Sequence, residues 1–248
     1  MRAKFGQAER VFRVERENNE KQNTSDGVTE IPLFPLDVVL FPNMILPLHI
    51  FEERYKEMIQ RCVHESLPFG VVLIKEVNEA TGRVTTHPVG CTARIARVEK
   101  LPDGRMNIEV IGEQRFRILD THEQMSYRTG LTEPYTDTPV DTGEIEPLTG
   151  EVHDLLYEFL MRSLAIMGQE VGDFELPRDG QKLAFTAACV LPLPNPQKQE
   201  LLSDRNPADR LQTVRGLLAK ENERLREITE TVWQPVATSQ YDDYRSAN

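Results

Sequence analysis

The stretch Ile31–Ser66, IPLFPLDVVLFPNMILPLHIFEERYKEMIQRCVHES, decides the fold. Its first half consists of short apolar runs cut by Pro32, Pro35, Pro42 and Pro47. Proline has no N–H to give to a ladder, so these runs read as short strands at sheet edges or corners. From Phe51 the period changes. Phe51, Tyr55, Met58, Ile59, Cys62 and Val63 recur at helical spacing and share one face, while Glu52, Glu53, Lys56, Glu57, Gln60 and Arg61 form a solvated face. A bent apolar strand feeding one amphipathic helix predicts a small β-domain with a helix packed on it.

Downstream, the β pattern continues to about residue 137. Phe69–Val77 is a continuous apolar strand. Val84–Leu101 alternates in its second half, with a slip between Ile95 and Val98 that predicts a bulge or twist. LPDG at 101–104 is a hairpin signal, since Pro102 presets φ and Gly104 supplies a positive one. The return strand is Met106–Leu119, with Gly112 near a bend, and a last strand lies around Tyr127–Tyr135. Short strands and glycine corners with one inserted helix predict a closed or half-closed barrel.

Residues 138–147 are turn-rich and acidic and read as a linker. Beyond them the period is helical. One helix carries Leu148, Val152, Leu155, Leu156, Phe159, Leu160 and Ile166 and ends at Gly168, and a second covers about Arg178–Val190. LPLPNP at 191–196 then opens a short helix, with Asn195 read as its N-cap and Pro196 at its first position. Asn206–Pro207 repeats the device ahead of a long helix whose seam is Leu211, Val214, Leu218, Leu225, Ile228 and Val232. That seam packs along the bundle or pairs with a second copy of the chain. Residues 1–29 and 235–248 are polar and read as disordered tails.

At 248 residues the chain can bury a real core, and its 28% charged and 39% hydrophobic residues are an ordinary soluble composition. No apolar run is long enough to span a bilayer, and the charged N-terminus lacks the apolar core of a secretory signal, so the cytoplasm is the expected location. Cys62, Cys91 and Cys189 are scattered, which fits neither a disulfide framework nor a zinc site. The net charge of −11 opposes general attraction to nucleic acid.

These motifs together resemble the N-terminal domain of Lon proteases. The resemblance rests on PLFPLDVVLFP, LPLHIFEERY, VGCTARIARVEKLPDG, IEVIGEQRFRI and LPLPNPQKQELLSDRNPADRLQTVRGLL, and it covers about residues 30–230. It implies an α+β fold: a PUA-like β pseudo-barrel of about six strands with one inserted helix, over 30–137, then a helical bundle over 148–234 ending in a long helix. It also implies a role in selecting unfolded or tagged polypeptides, with a protease or chaperone as the further partner. The chain carries no G-x-x-x-x-G-K-[ST] phosphate loop, so the expectation is a stand-alone Lon-domain protein without ATPase or protease domains. Two positions depart from stand-alone members: Asn43 replaces a frequent glycine, and Glu53 replaces a frequent proline.

No catalytic constellation is legible. His49, His64, His87, His122 and His153 never fall at metal-ligand spacing, no G-x-S-x-G elbow marks a nucleophile, and adjacent acids such as Glu52–Glu53 read as solvated charge. The expectation is a non-enzymatic module with no metal and no cofactor. The resemblance places polypeptide contacts at Pro47, Glu52, Glu53, Arg54 and Leu101, although the first helical turn also reads simply as solvated charge suited to the helix dipole. The alternative function is RNA binding by the basic hairpin containing Arg94, Arg97, Lys100, Arg105, Arg115 and Arg117. Interleaved Glu99, Asp103, Glu109 and Glu113 neutralise it and favour the reading of an ordinary polar sheet face over an RNA surface.

Overall fold

The structure is a computed structural model and describes residues 27–169 and 175–232. Of the expected tails at 1–29 and 235–248, residues 1–26 and 235–248 lie outside the described residues, and Thr29 already opens a strand. The β half comprises β1 (Thr29–Leu36), β2 (Ile45–Ile50), β3 (Phe69–Val77), β4 (Val84–Thr86), β5 (Val89–Lys100), β6 (Met106–His122) and β7 (Thr129–Pro134), with α1 (Glu53–Glu65) inserted after β2. The strands follow the order β1-β7-β6-β5-β3-β4, and β1 also pairs with β3. That last pairing is parallel, Leu33 opposite Gly70 through Leu36 opposite Leu73, and it closes a ring. Pro32 lies in the half of β1 that pairs with β7, and Pro35 in the half that pairs with β3. Each proline therefore sits where one side of the strand has no ladder to supply.

The ring is filled by its own side chains. Ile31, Leu33, Val72 and Phe116 form one buried cluster. A methyl group on Gly70 would stand 2.5 Å from the Phe116 ring, and one on Gly130 would stand 2.7 Å from Leu33. Glycine at these positions lets a narrow barrel close around large residues. Outside the ring, α1 lays Tyr55, Met58, Ile59 and Cys62 over Phe34, Phe69, Val71, Cys91 and Ala93. The Tyr55 and Phe34 ring centroids are 4.2 Å apart. Met58 and Ile59 are fully buried, and truncating either to alanine would cost about 2–5 kcal/mol.

The helical half comprises α2 (Thr142–Ile166), α3 (Gly180–Val190), α4 (Asn195–Ser203) and α5 (Pro207–Val232). α2 starts within the expected linker because Asp141 caps it, accepting the Gly143 N–H at 2.9 Å. The two Asn-Pro pairs behave differently. Asn206 accepts the Ala208 N–H at 3.0 Å, as a cap should. Asn195 instead is already the first residue of α4, and its amide donates to the carbonyl and the carboxylate of Asp37 at 3.0 Å. α2 and α5 run side by side in the same direction, since Glu151 meets Arg215 and Asn222 donates to the Leu155 carbonyl. Leu211, Val214, Leu218 and Leu225 are buried in that bundle, so the seam of the long helix up to Leu225 is used within the chain. Ile228, further along, is exposed.

The two halves share one core. Val39, Phe41, Leu73 and Val89 from the β side pack in the same cluster as Val152, Leu183, Phe185, Leu201 and Leu218. Beside it lies a buried charge cluster: Arg115, in sequence one of the hairpin cations, is 5% exposed and pairs with Asp137, which also pairs with the fully buried Arg210. Arg115 further donates to the carbonyls of Leu202 and Asp204 at 2.8 and 2.6 Å, tying β6 to the end of α4.

Gly216 lies in the interior of α5 with open space where a side chain would go. Gly216→Ala is therefore expected to stabilise the fold by about 0.5–1 kcal/mol, the difference in helix propensity, seen as a higher urea midpoint at unchanged slope.

Candidate functional site

The site is built outward from the turn before β2. The Met44 N–H donates to the Phe41 carbonyl at 3.1 Å, with Pro42 and Asn43 between them and Asn43 at φ 65°. This is a type II turn, with proline at its second position and a residue tolerant of left-handed backbone at its third. Asn43 thus occupies a position where glycine meets the smallest penalty. The turn continues into a bulge at Asn43–Met44 opposite Gly112 of β6, because Asn43 N–H donates to the Gly112 carbonyl at 2.8 Å and Gly112 N–H to the Met44 carbonyl at 2.9 Å. Gly112 is the strand partner of that bulge.

β2 then pairs with β6 from Ile45 opposite Ile111 to Ile50 opposite Met106. Strand backbone groups alternate in direction every residue, so counting from the Gly112–Met44 bond, Leu46, Leu48 and Ile50 turn theirs toward β6. Ile45, Pro47 and His49 turn theirs the other way. Among the described residues no strand pairs with that edge. Its side chains are large and apolar at both ends: Ile45 is 64% and Phe51 60% exposed. The His49 ring stacks on Phe51 with centroids 6.1 Å apart. Arg105 approaches His49 Nε2 at 3.4 Å, which leaves Nδ1 to donate to Asn107 Oδ1 at 2.7 Å.

Phe51 corrects the reading of the helix. α1 begins at Glu53 after the extended N-cap Glu52, so Phe51 lies between β2 and the helix rather than in the buried stripe, and Val63 is likewise 50% exposed. The apolar face of α1 is narrower than the sequence period implied. Sequence reasoning therefore missed Phe51 and Ile45 as surface residues. The signal available for Phe51 was its place before the acidic start of the helix, outside the hydrogen-bonded turns.

Of the five residues expected to contact polypeptide, three line one of two depressions and two line neither. Pro47 lines a groove of about 280 Å³ with His49, Arg97, Glu99, Asn107 and Glu109. Glu53 and Arg54 line a polar cleft of about 510 Å³ between α1 and the hairpin turn at Asp103 and Gly104, with Ser126 at its side. Glu52 lines neither, and holds Arg54 at 2.7 Å. Leu101 lines neither, and its backbone closes the hairpin turn with Arg105 and Gly104 at 2.8 and 3.0 Å. Glu53 pairs with Lys56 at 2.8 Å, and Glu57 accepts the Ser126 hydroxyl at 2.6 Å. Exposed pairs of this kind contribute about 0–1 kcal/mol, so they fix side-chain positions more than they stabilise the fold.

The hairpin cations are largely neutralised. Arg94 pairs with Glu113 at 2.8 Å and Arg105 with Asp103 at 2.6 Å, Arg117 pairs with Glu133, and Arg115 is inside the molecule. A phosphate backbone would have to compete with each of these carboxylates.

Burial also governs the thiols. It pushes the Cys62 thiol up to about 11 and the Cys91 thiol up to about 12. At pH 8 the thiolate of Cys62 is then roughly 100-fold scarcer than at an ordinary cysteine, so iodoacetamide should label it at least that much more slowly in the folded chain than in urea.

Comparison with known proteins places this geometry in context. A family model described as the ATP-dependent protease La (LON) substrate-binding domain matches residues 30–220. A Lon protease of Escherichia coli strain K12 is 26% identical over 199 residues, covering 79% of this chain and 25% of its own length. A Lon protease of Azorhizobium caulinodans is 28% identical over 200 residues, covering 79% of this chain and 23% of its own. The chain thus spans about a quarter of the length of the curated relatives it matches. Among solved structures, the N-terminal domain of Mycobacterium avium complex Lon protease superposes with a TM-score of 0.58 at 20% identity, covering 77% of this chain and 98% of that one. The Lon N-terminal domain protein from Xanthomonas campestris does so with a TM-score of 0.53 at 24% identity, over 75% and 96%.

Proposed function

The chain belongs to the LON substrate-binding domain family, and on that premise we propose that it binds segments of unfolded or tagged polypeptides where β2, the start of α1 and the β5–β6 hairpin meet. The observation that carries this reading is the pair Ile45 and Phe51, each more than half exposed at either end of a strand whose outer edge no strand pairs among the described residues. Large apolar side chains held in water beside free backbone groups are what an unfolded chain can use and a folded surface cannot.

In this reading Ile45 and Phe51 supply the apolar contact and Pro47 lies between them. Arg54 and Glu53 form a charged rim, and Leu101 sets the position of the hairpin turn. The module works without chemistry of its own, in the cytoplasm, as an adaptor or quality-control factor whose further partner is a protease or chaperone.

The test compares binding of a chemically denatured, labelled protein with binding of its folded form. The denatured form should bind measurably more tightly, and Ile45→Asp with Phe51→Ser should weaken it about tenfold or more, while circular dichroism stays unchanged. Equal weak binding to both forms would remove the proposal.

A further inference from the structure

We propose that the occupant of this surface is one extended, non-acidic polypeptide segment that adds to the open edge of β2 as a further strand, through main-chain hydrogen bonds. This rests on the polypeptide-binding reading above and specifies how the polypeptide is held.

The edge offers the carbonyls of Ile45, Pro47 and His49 but only the N–H groups of Ile45 and His49, because Pro47 has none. Such a row pairs best with another extended backbone. An incoming strand would donate three N–H groups and accept two. Alternate side chains of that strand would point to the face carrying Ile45, Pro47 and Phe51, where the groove beside Pro47 has room for one of them.

A second copy of the chain fits less well. Two β2 edges set antiparallel in full register meet at Pro47 against Pro47, where both central donors are missing. Each copy also carries a net charge of −11. The groove itself holds Glu99 and Glu109 against Arg97, so its charge complements a neutral or basic segment and repels an acidic one. Sequence preference then comes from charge and from alternate apolar positions, and the backbone supplies the rest. A fold already paired into helices or sheets has no such backbone to give.

The experiment uses a fluorescent ten-residue peptide of alternating valine and serine with lysines at its ends, read by anisotropy on the full chain. Two derivatives are N-methylated at every second residue, one in each phase. The phase whose N–H groups face β2 should lose at least about tenfold in affinity, and the other should stay within about twofold. Pro47→Ala, which restores a donor, should tighten the parent peptide roughly two- to tenfold, whereas a contact through the proline ring would be weakened by that change. Glutamates in place of the lysines should weaken it. If the parent binds and both methylated phases bind equally well, strand addition is wrong while polypeptide binding stands. If neither the peptide nor the denatured protein binds, both are wrong. A dimer in light scattering that Ile45→Asp abolishes and the peptide cannot displace would assign the edge to a second copy instead.

Discussion

Replacing Asp137 with alanine should cost about 3–5 kcal/mol of folding stability, as expected for removing one partner of a buried ion pair. Asp137 answers two guanidinium groups, Arg115 and Arg210, which are 5% and 0% exposed. It also accepts the Gln181 amide at 2.5 Å. Burial already draws the Arg115 pKa below its usual value, with Asp137 pulling it back up and the nearby Arg210 pushing it further down. Without the carboxylate, two like charges remain together over the Phe185 ring, at 5.2 and 4.2 Å, with carbonyl oxygens as their remaining acceptors among the described residues. Nε of Arg210 has no hydrogen-bond partner among the described residues even in the intact cluster. A urea titration would compare this variant with Glu113→Ala, which breaks the exposed pair to Arg94 and should cost at most about 1 kcal/mol. Similar losses would mean that the cluster does not hold the barrel to the bundle. Replacing all three residues by apolar ones of matching volume should recover most of the loss, since a buried ionic triad is often no more stable than a well-packed apolar one.

Gly112→Ala should be the most damaging change near the candidate site. Its Cβ would fall on the carbonyl oxygen of Phe41, and that carbonyl accepts the bond closing the turn before β2. Backbone cannot yield as a flexible side chain can, so the turn must move, taking with it both bonds that join Asn43 and Met44 to Gly112. The expected loss is about 1–3 kcal/mol from overpacking, with further loss from the broken bulge. Because those bonds also set the register of β2, polypeptide binding should fall more than stability does. Gly150→Ala is the control, because Gly150 lies in α2 with nothing within 4 Å of where a Cβ would stand. A Gly112→Ala chain as stable as the parent and with the same affinity would show that the bulge does not position the edge.

The features legible in the sequence were those written in local periodicity. Tyr55, Met58, Ile59 and Cys62 formed the buried face of α1 because a 3.6-residue period needs no distant partner. The bulge in β5 lies between Ile95 and Arg97, where the alternation slipped. Features set by distant partners were not legible. The parallel β1–β3 pair joins residues far apart in the chain, and nothing local announces it. Asn195 looked like a cap, yet its amide is taken by Asp37, from the far side of the sequence. Arg115 looked like one more hairpin cation, but a register shift between Cys91 and Ala93 and the approach of α4 place it inside. The candidate site shows the same division. Pro47, Glu53 and Arg54 were named from motif resemblance, whereas Ile45 and Phe51 stand out only once the edge of β2 is known to lack a neighbour.

The most direct test of polypeptide recognition at β2 is amide hydrogen exchange on the full chain, with and without a saturating unfolded protein. The backbone N–H groups of Ile45 and His49 face the open edge and should exchange fast in the free chain, then slow at least about tenfold when an extended segment pairs with them. Residues at the start of α1 should slow less, and the buried seam of α5 should not change. Protection confined to the helical bundle, or no protection at Ile45 and His49 under conditions where the unfolded protein is bound, would contradict the account.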